Sequence, residues 1–211
     1  MPTFTVRVWL PDRPGALGAV ATSIGSIGGD LTGIEILETG AGRAVDELVV
    51  SLPADALVEA LVDAMCRVEG VDVEEVRPAD GAHPRDALEA AAAIAEQQDL
   101  SALEQAIAEQ AAHHLAAEWS AVVDTVSTRI VAALGTSPPG PWLAAFVAGS
   151  RSAGEGGPDD VAWTELGAAP RALVLGRSGR PFRARERQHL ALVGRIAGVR
   201  WCEVAAQLAI T

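Results

Sequence analysis

The chain has 211 residues, between one large domain and two small ones, and its net charge at pH 7 is −12. This acidic balance argues against binding to nucleic acids or anionic membrane surfaces, because their phosphate groups would repel the chain. All sixteen basic residues are arginine and tyrosine is absent, which excludes Schiff-base chemistry, a phosphate-loop lysine and a tyrosine acid or base.

No run of residues reaches the roughly 18–20 apolar residues of a membrane span, and the chain begins directly with a predicted strand rather than a secretory leader. A cytoplasmic protein is therefore expected. The two cysteines, Cys66 and Cys202, are far apart and lack the spacing of metal ligands, and Cys66, next to Met65 on a predicted helix, is expected to be a reduced thiol that is buried or half-buried. The sequence predicts no metal site and no cofactor.

Residues 1–77 alternate between strand and helix patterns in the order strand, helix, strand, strand, helix, strand. The first strand covers residues 3–10, where every second residue is apolar, and a stripe at 3.6-residue spacing predicts the helix that follows. Further strands are expected at residues 31–38, 45–52 and 71–77, and a second helix begins at Pro53. Such elements bury their apolar stripes most simply as two helices on one face of an antiparallel sheet.

The third of these strands has one apolar and one polar face. Leu48, Val50 and Leu52 are expected to point inward, and Asp46 and Glu47 to keep the outer face and the strand end polar.

The loop between the first strand and the first helix has the sequence of a ligand-binding turn. Asp12 is placed to cap the helix, and Pro14 falls in the first turn, where its missing N–H costs nothing. Gly15 lets a ligand approach the backbone closely, and free first-turn amides offer hydrogen bonds to a carboxylate. The alternative is a strand-to-helix turn that only caps.

This element order, with Asp12, Arg13, Pro14, Gly15, Ala16 and Leu17 in the first loop, resembles the ACT domain over residues 1–77. The family consists of small regulatory modules that bind amino acids and related effectors, although many members serve only to pair subunits. The resemblance implies a ferredoxin-like fold, with the ligand between the first loop and the start of the second strand, often where two modules meet. Carried over by position, the site also includes Asp30 and Leu31.

Asp30 departs from the asparagine that is frequent in that family. An aspartate can accept hydrogen bonds from an ammonium group, but it cannot donate one to a carboxylate.

Residues 78–84 have the composition of a linker, and residues 85–211 are expected to form a second α+β module. Two helices come first, with Ser101 in capping-box position at the second, and strands follow at about 119–124, 129–134, 161–166 and 172–176. A closing helix over residues 183–197 is expected to turn Leu190, Val193 and Ile196 inward. The glycine-rich stretch 151–160 is predicted to be the most mobile segment.

Residues 172–177, 180–182 and 186–187, which lead from a strand into the closing helix, resemble the end of a GAF domain. The likeness covers residues 84–205 and implies a degenerate GAF-like module with flanking helices, of a class that senses small molecules and dimerises. No cysteine or histidine stands where a tetrapyrrole-binding member needs one.

Five arginines cluster at the start of the closing helix: Arg177, Arg180, Arg183, Arg185 and Arg187. They indicate either an anion or partner site, or a solvated helix start. Because positive charge at a helix N-terminus is unfavourable, the second interpretation includes a compensating acidic partner, for which the acidic first domain is a candidate.

No nucleophile elbow, zinc-binding helix or phosphate loop is present, so an enzyme is not expected. The sequence predicts a non-catalytic, allosteric regulatory protein that binds an amino acid or a similar small metabolite. It would signal as a homodimer or through a protein partner. The alternative is a ligand-free interaction and dimerisation scaffold.

Overall fold

A computed structural model describes residues 1–54, 58–79, 87–153, 158–167 and 169–208. These residues form an α+β protein with six helices and two antiparallel four-stranded sheets. The chain divides into two compact units, the first Met1–Pro84 and the second Arg85–Thr211. Residues 80–84 of the expected linker and 154–157 of the glycine-rich stretch lie outside the described residues. Of the described helices, none combines the length and the apolar character needed to cross a membrane.

The elements of the first unit follow the order that the sequence predicts. They are β1 (Thr3–Pro11), α1 (Ala16–Ser26), β2 (Asp30–Gly40), β3 (Arg43–Ser51), α2 (Val58–Cys66) and β4 (Asp72–Pro78). The strands are antiparallel to their neighbours and lie in the order β2-β3-β1-β4, so β2 and β4 are the edges. The core lies between this sheet and the two helices.

One face of β1 supplies the centre of that core. Val6 and Val8 are fully buried, and they pack with Leu48 of β3 and with Val20 of α1. Complete burial of an aliphatic side chain contributes about 1.5–3 kcal/mol. The alternating apolar residues of β1 and the apolar stripe of α1 therefore pack against each other and hold the sheet to the helices.

Asp46 lies on this same face, contrary to the expectation that it belongs to the outer face of β3. Val8 pairs with Asp46 and Val6 pairs with Leu48, and paired residues in antiparallel strands share a face. Asp46 is therefore in phase with Leu48 and points to the helical side of the sheet, where it is 2% exposed.

The edge strand β2 exposes two large apolar side chains. Ile34 and Ile36 pair with Leu48 and Asp46 of β3, so they lie on the helical side, yet they are 49% and 55% exposed. The edge of the first sheet thus presents both unpaired backbone groups and apolar surface.

The second unit contains α3 (Ala87–Ala95), α4 (Leu100–His114), β5 (Trp119–Asp124), β6 (Ile130–Leu134), α5 (Gly140–Ala153), β7 (Val161–Glu165), β8 (Arg171–Gly176) and α6 (Ala184–Leu208). Its strands lie in the order β6-β5-β8-β7. Val122 of β5 packs with residues of α4 and α6, whereas Ala121 and Val123 pack with α5. The sheet is therefore covered by helices on both faces.

Several local predictions for the second unit, and the burial predicted for Cys66, are wrong. The N-cap of α4 is Asp99, whose side chain accepts a hydrogen bond from the amide of Ala102 at 2.8 Å, rather than Ser101. On α6, Ile196 is 40% exposed, because the buried stripe continues through Ala197. The thiol of Cys66 is exposed, as is that of Cys202.

Candidate functional site

The loop between β1 and α1 leaves the start of the helix uncapped. The N-cap is Gly15, at a φ of +86°, and no side chain caps the helix. The side chain of Asp12 therefore makes no capping hydrogen bond, and its backbone N–H donates to the carbonyl of Gly42 at 3.0 Å. Pro14 precedes the first turn instead of lying within it. The predicted helix start is three residues too early, because the N-cap is Gly15 rather than Asp12 and the helix begins only at Ala16.

Two amides at this helix start are free to bind an anion. The N–H of Ala16 donates to Arg13 and that of Ala19 to Gly15, but within the described residues those of Leu17 and Gly18 find no acceptor. The first turn carries no acidic residue. A Cβ placed on Gly15 would meet nothing within 4 Å, so the space beside the loop is open. The positive end of the α1 dipole therefore faces an accessible site.

The left-handed backbone at Gly15 can be tested with a matched pair of variants. We expect Gly15→Ala to lower the free energy of unfolding by about 1–2 kcal/mol, because an L-residue is strained at positive φ. Gly18→Ala, three residues on in the helix and equally open, is expected to raise it by about 0.5–1 kcal/mol. Urea denaturation followed by circular dichroism measures both, and equal effects would contradict the assigned conformation.

Asp46 is a buried carboxylate that lies near this loop. Its Oδ1 accepts no hydrogen bond from any described residue, and its cross-strand neighbours Val8 and Ile36 are apolar. Burial raises the pKa of Asp46, and the negative charge of Asp12 raises it further. The ionised side chain therefore lowers stability at neutral pH, and this cost disappears as the pH falls below the folded-state pKa.

The arginines of the neighbouring strands lie on the other side of the sheet from Asp46. Arg43 contacts Asp72 at 2.6 Å and lies 5.3 Å above the ring of Trp9, and Arg7 contacts Glu47 at 3.0 Å. Alternation along β1 and β3 places these odd-numbered residues on the face away from the helices.

The structure brings together six of the eight predicted site residues. The loop residues Asp12, Arg13, Pro14 and Gly15, with Ala16 and Leu17 at the start of α1, lie at the end of the sheet where Pro11 pairs with Arg43. Asp30 instead pairs with Ser51, so Asp30 and Leu31 lie at the opposite end. At about 3.3 Å per residue, the nine residues of β1 separate the two ends by roughly 25 Å within one chain.

In the arginine-rich segment of the second unit, Arg177 is buried and makes its contacts with residues of that same unit. Arg177 is 1% exposed and donates to the carbonyl of Leu115 at 2.7 Å and to Glu186 at 2.7 Å. Glu186 also accepts from the N–H of Arg183 at 2.8 Å, at the start of α6. The acidic partner of Arg177 is thus Glu186, a residue of α6.

An open groove lies beside α6 in the second unit, with a volume of about 490 Å³. Its lining includes Leu192, Ile196 and Val199, which are 51%, 40% and 63% exposed and form one stripe along the helix. In the parts of the chain that the structure describes, no three His, Cys, Asp or Glu side chains are grouped so as to hold a metal ion.

No known family model matches the chain, and no curated protein matches it. Solved structures are similar to it only distantly. A formyltetrahydrofolate deformylase from Pseudomonas putida KT2440 aligns with 36% of this chain at 14% identity and a TM-score of 0.31, and this chain covers 28% of the deformylase. GqqA, described as a novel type of quorum quenching acylase, aligns with 36% at 23% identity and a TM-score of 0.27, with 43% of its own length covered.

An unknown protein from Galdieria sulphuraria aligns with 99% of this chain and 94% of its own length, at 14% identity and a TM-score of 0.36. At these low TM-scores, the three likenesses support no assignment of family or function.

Proposed function

We propose that this chain is a non-catalytic regulatory protein whose first unit is an ACT-like module for an amino acid or a similar small metabolite. The observation that carries the proposal is the pair of free amides of Leu17 and Gly18 beside the open loop at Gly15. These donors, at the positive end of α1, suit a ligand carboxylate. The absence of lysine and tyrosine from the sequence supports a binding role rather than a catalytic one.

A homodimer would complete such a site. Asp30 and Leu31 lie at the far end of the sheet from the loop, whereas Gly40, at the end of β2, pairs with Arg43 near it. If two copies paired antiparallel along their β2 edges, the start of one β2 would lie beside the end of the other. The loop of each copy would then face the start of β2 in the other copy. The resemblance to the ACT domain implies this arrangement, in which the ligand lies between these two segments.

The second unit, in this proposal, is a GAF-like sensing or dimerisation module. Its sheet is covered by helices on both faces, and α6 leaves the apolar stripe of Leu192, Ile196 and Val199 exposed. An exposed stripe of this kind is suited to contact with another protein. The output of the regulator would then be a change in a partner protein or in dimer geometry.

A thermal-shift screen of the full chain against the twenty amino acids and common nucleotides tests the proposal. We expect one amino acid to raise the Tm, since a ligand that binds only the folded state stabilises it. Gly15→Asp should abolish that shift, because it places a negative charge at the anion site. Gly179→Asp is the matched control, because Gly179 also has a positive φ and open space but lies in the second unit.

The exposed stripe on α6 favours one alternative, a ligand-free dimerisation scaffold. A stable dimer whose Tm no compound raises would support the scaffold. A ligand shift that survives in Gly15→Asp would move the binding site away from the loop.

A further inference from the structure

We propose that Asp46 is the acceptor for a positively charged amino group of the ligand, so that the loop site selects ligands with a free ammonium group. This inference rests on the proposed function of the first unit and identifies a recognition residue outside the loop. It begins from the position of Asp46, which is 2% exposed and whose Oδ1 has no hydrogen-bond partner among the described residues.

A carboxylate at this position is unfavourable for the empty protein. Residues on the same face of β3, Ala44 and Leu48, are buried and apolar, and an apolar residue would continue that face. Burying an ionised carboxylate without a partner costs far more than burying an apolar side chain. In its ionised form, Asp46 therefore requires a compensating positive charge, either from the chain or from a bound molecule.

The described residues that pack around Asp46 supply no such charge. The helical faces of β1 and β2 present Val8 and Ile36 next to it, and α1 contains no charged residue along its length. The charged group that acts on it is Asp12, which is also negative. Arg43, the nearest basic residue along β3, lies on the opposite face in contact with Asp72. We therefore assign the compensating charge to a ligand.

The chemistry of the surroundings favours an organic ammonium ion over a metal ion. Calcium takes six to eight oxygen ligands, and the described residues contain no group of three acidic, His or Cys side chains that could hold a metal. The free amides of Leu17 and Gly18 are hydrogen-bond donors and would repel a metal. A zwitterion suits both features, with its carboxylate at the amides and its ammonium group at Asp46, assisted by Asp12.

The experiment compares three forms of each amino acid in the thermal-shift assay: the free amino acid, its N-acetyl derivative and its methyl ester. We expect a free amino acid to stabilise the wild type and its N-acetyl derivative, which lacks the positive charge, to have no effect. Asp46→Asn should weaken binding on the order of 10- to 100-fold, as expected for loss of a hydrogen bond to a charged group.

The same variant has a second readout without any ligand. Asp46→Asn should raise the Tm of the empty protein by a few degrees, because it removes an uncompensated buried charge. Glu47→Gln is the matched control, one residue away on the opposite face, where Glu47 contacts Arg7 and Arg77. It should lower the Tm and leave the ligand shift intact. A lower Tm for Asp46→Asn would show that its carboxylate is internally satisfied, and would overturn the inference.

The remaining outcomes separate this inference from the proposed function. A ligand shift that survives in Asp46→Asn but is lost in Gly15→Asp would leave the loop site standing and overturn the role of Asp46. If no amino acid shifts the wild type, methylammonium chloride is titrated against the ¹³C carboxyl signal of Asp46, with sodium chloride as control. A shift of this signal with methylammonium chloride but not with sodium chloride supports the cation site even without an amino-acid function. The absence of such a shift overturns the role of Asp46.

Discussion

Replacing Glu186 with alanine should lower the free energy of unfolding of the second unit by about 3–5 kcal/mol, as measured for other buried ion pairs that lose one member. The side chains of Arg177 and Glu186 are 0% and 8% exposed. Without the carboxylate, the buried guanidinium of Arg177 would lose the ion pair that it makes with Glu186. The N–H of Arg183 would also lose its acceptor at the start of α6.

Urea denaturation followed by tryptophan fluorescence measures this loss, because four tryptophans, Trp119, Trp142, Trp163 and Trp201, lie in the second unit. Glu203→Ala is the control, since the carboxylate of Glu203, 55% exposed, pairs with Arg200 and its loss should change stability by about 0–1 kcal/mol. The double variant Arg177→Met, Glu186→Leu should recover much of the loss, because it removes both charges. Equal effects of Glu186→Ala and Glu203→Ala would show that the buried pair is not needed.

A second large effect is expected at Gly198, where α6 packs closely on the chain between β7 and β8. A Cβ at this position would lie 2.6 Å from the backbone nitrogen of Gly167 and 2.8 Å from the carbonyl carbon of Leu166. Both atoms belong to the backbone, which cannot rotate away as a side chain would. Gly198→Ala should therefore cost about 2 kcal/mol or more, in spite of the better helix propensity of alanine.

Gly149→Ala provides the comparison for this variant. Gly149 is also a helical glycine of the second unit, in α5, but a Cβ there would meet nothing within 4 Å. Its replacement should raise the free energy of unfolding by about 0.5–1 kcal/mol. A stabilised Gly198→Ala protein would mean that α6 does not pack against Gly167 as described.

Local periodicity predicted most of the elements, because strand and helix patterns depend on neighbouring residues. The same periodicity indicates that Asp46 lies on the buried face, since Ala44, Asp46, Leu48 and Val50 are alternate residues along β3. The sequence-based prediction instead groups Asp46 with Glu47 as the polar residues of this strand. Helix starts were less predictable, because Asp12 and Ser101 each have a capping side chain but the helices begin at other residues.

Contacts between distant residues could not be predicted from the sequence. The pairing of Arg177 with the carbonyl of Leu115 joins residues that are 62 positions apart. The separation of Asp30 from the loop depends on strand order and direction, which a local pattern does not determine. Family resemblance grouped the eight site residues, but only the strand pairing shows that one chain holds six of them at one end of the sheet.

The placement of β2 at the edge of its sheet, with its start far from the loop, has a consequence for how the proposed regulator would respond in solution. A ligand shared between two copies would bind only to paired chains, so its apparent affinity would rise with protein concentration. By reciprocity, the ligand would tighten the pairing by the same factor. The amount of protein in the cell, and not only the amount of metabolite, would then set the threshold at which the regulator responds.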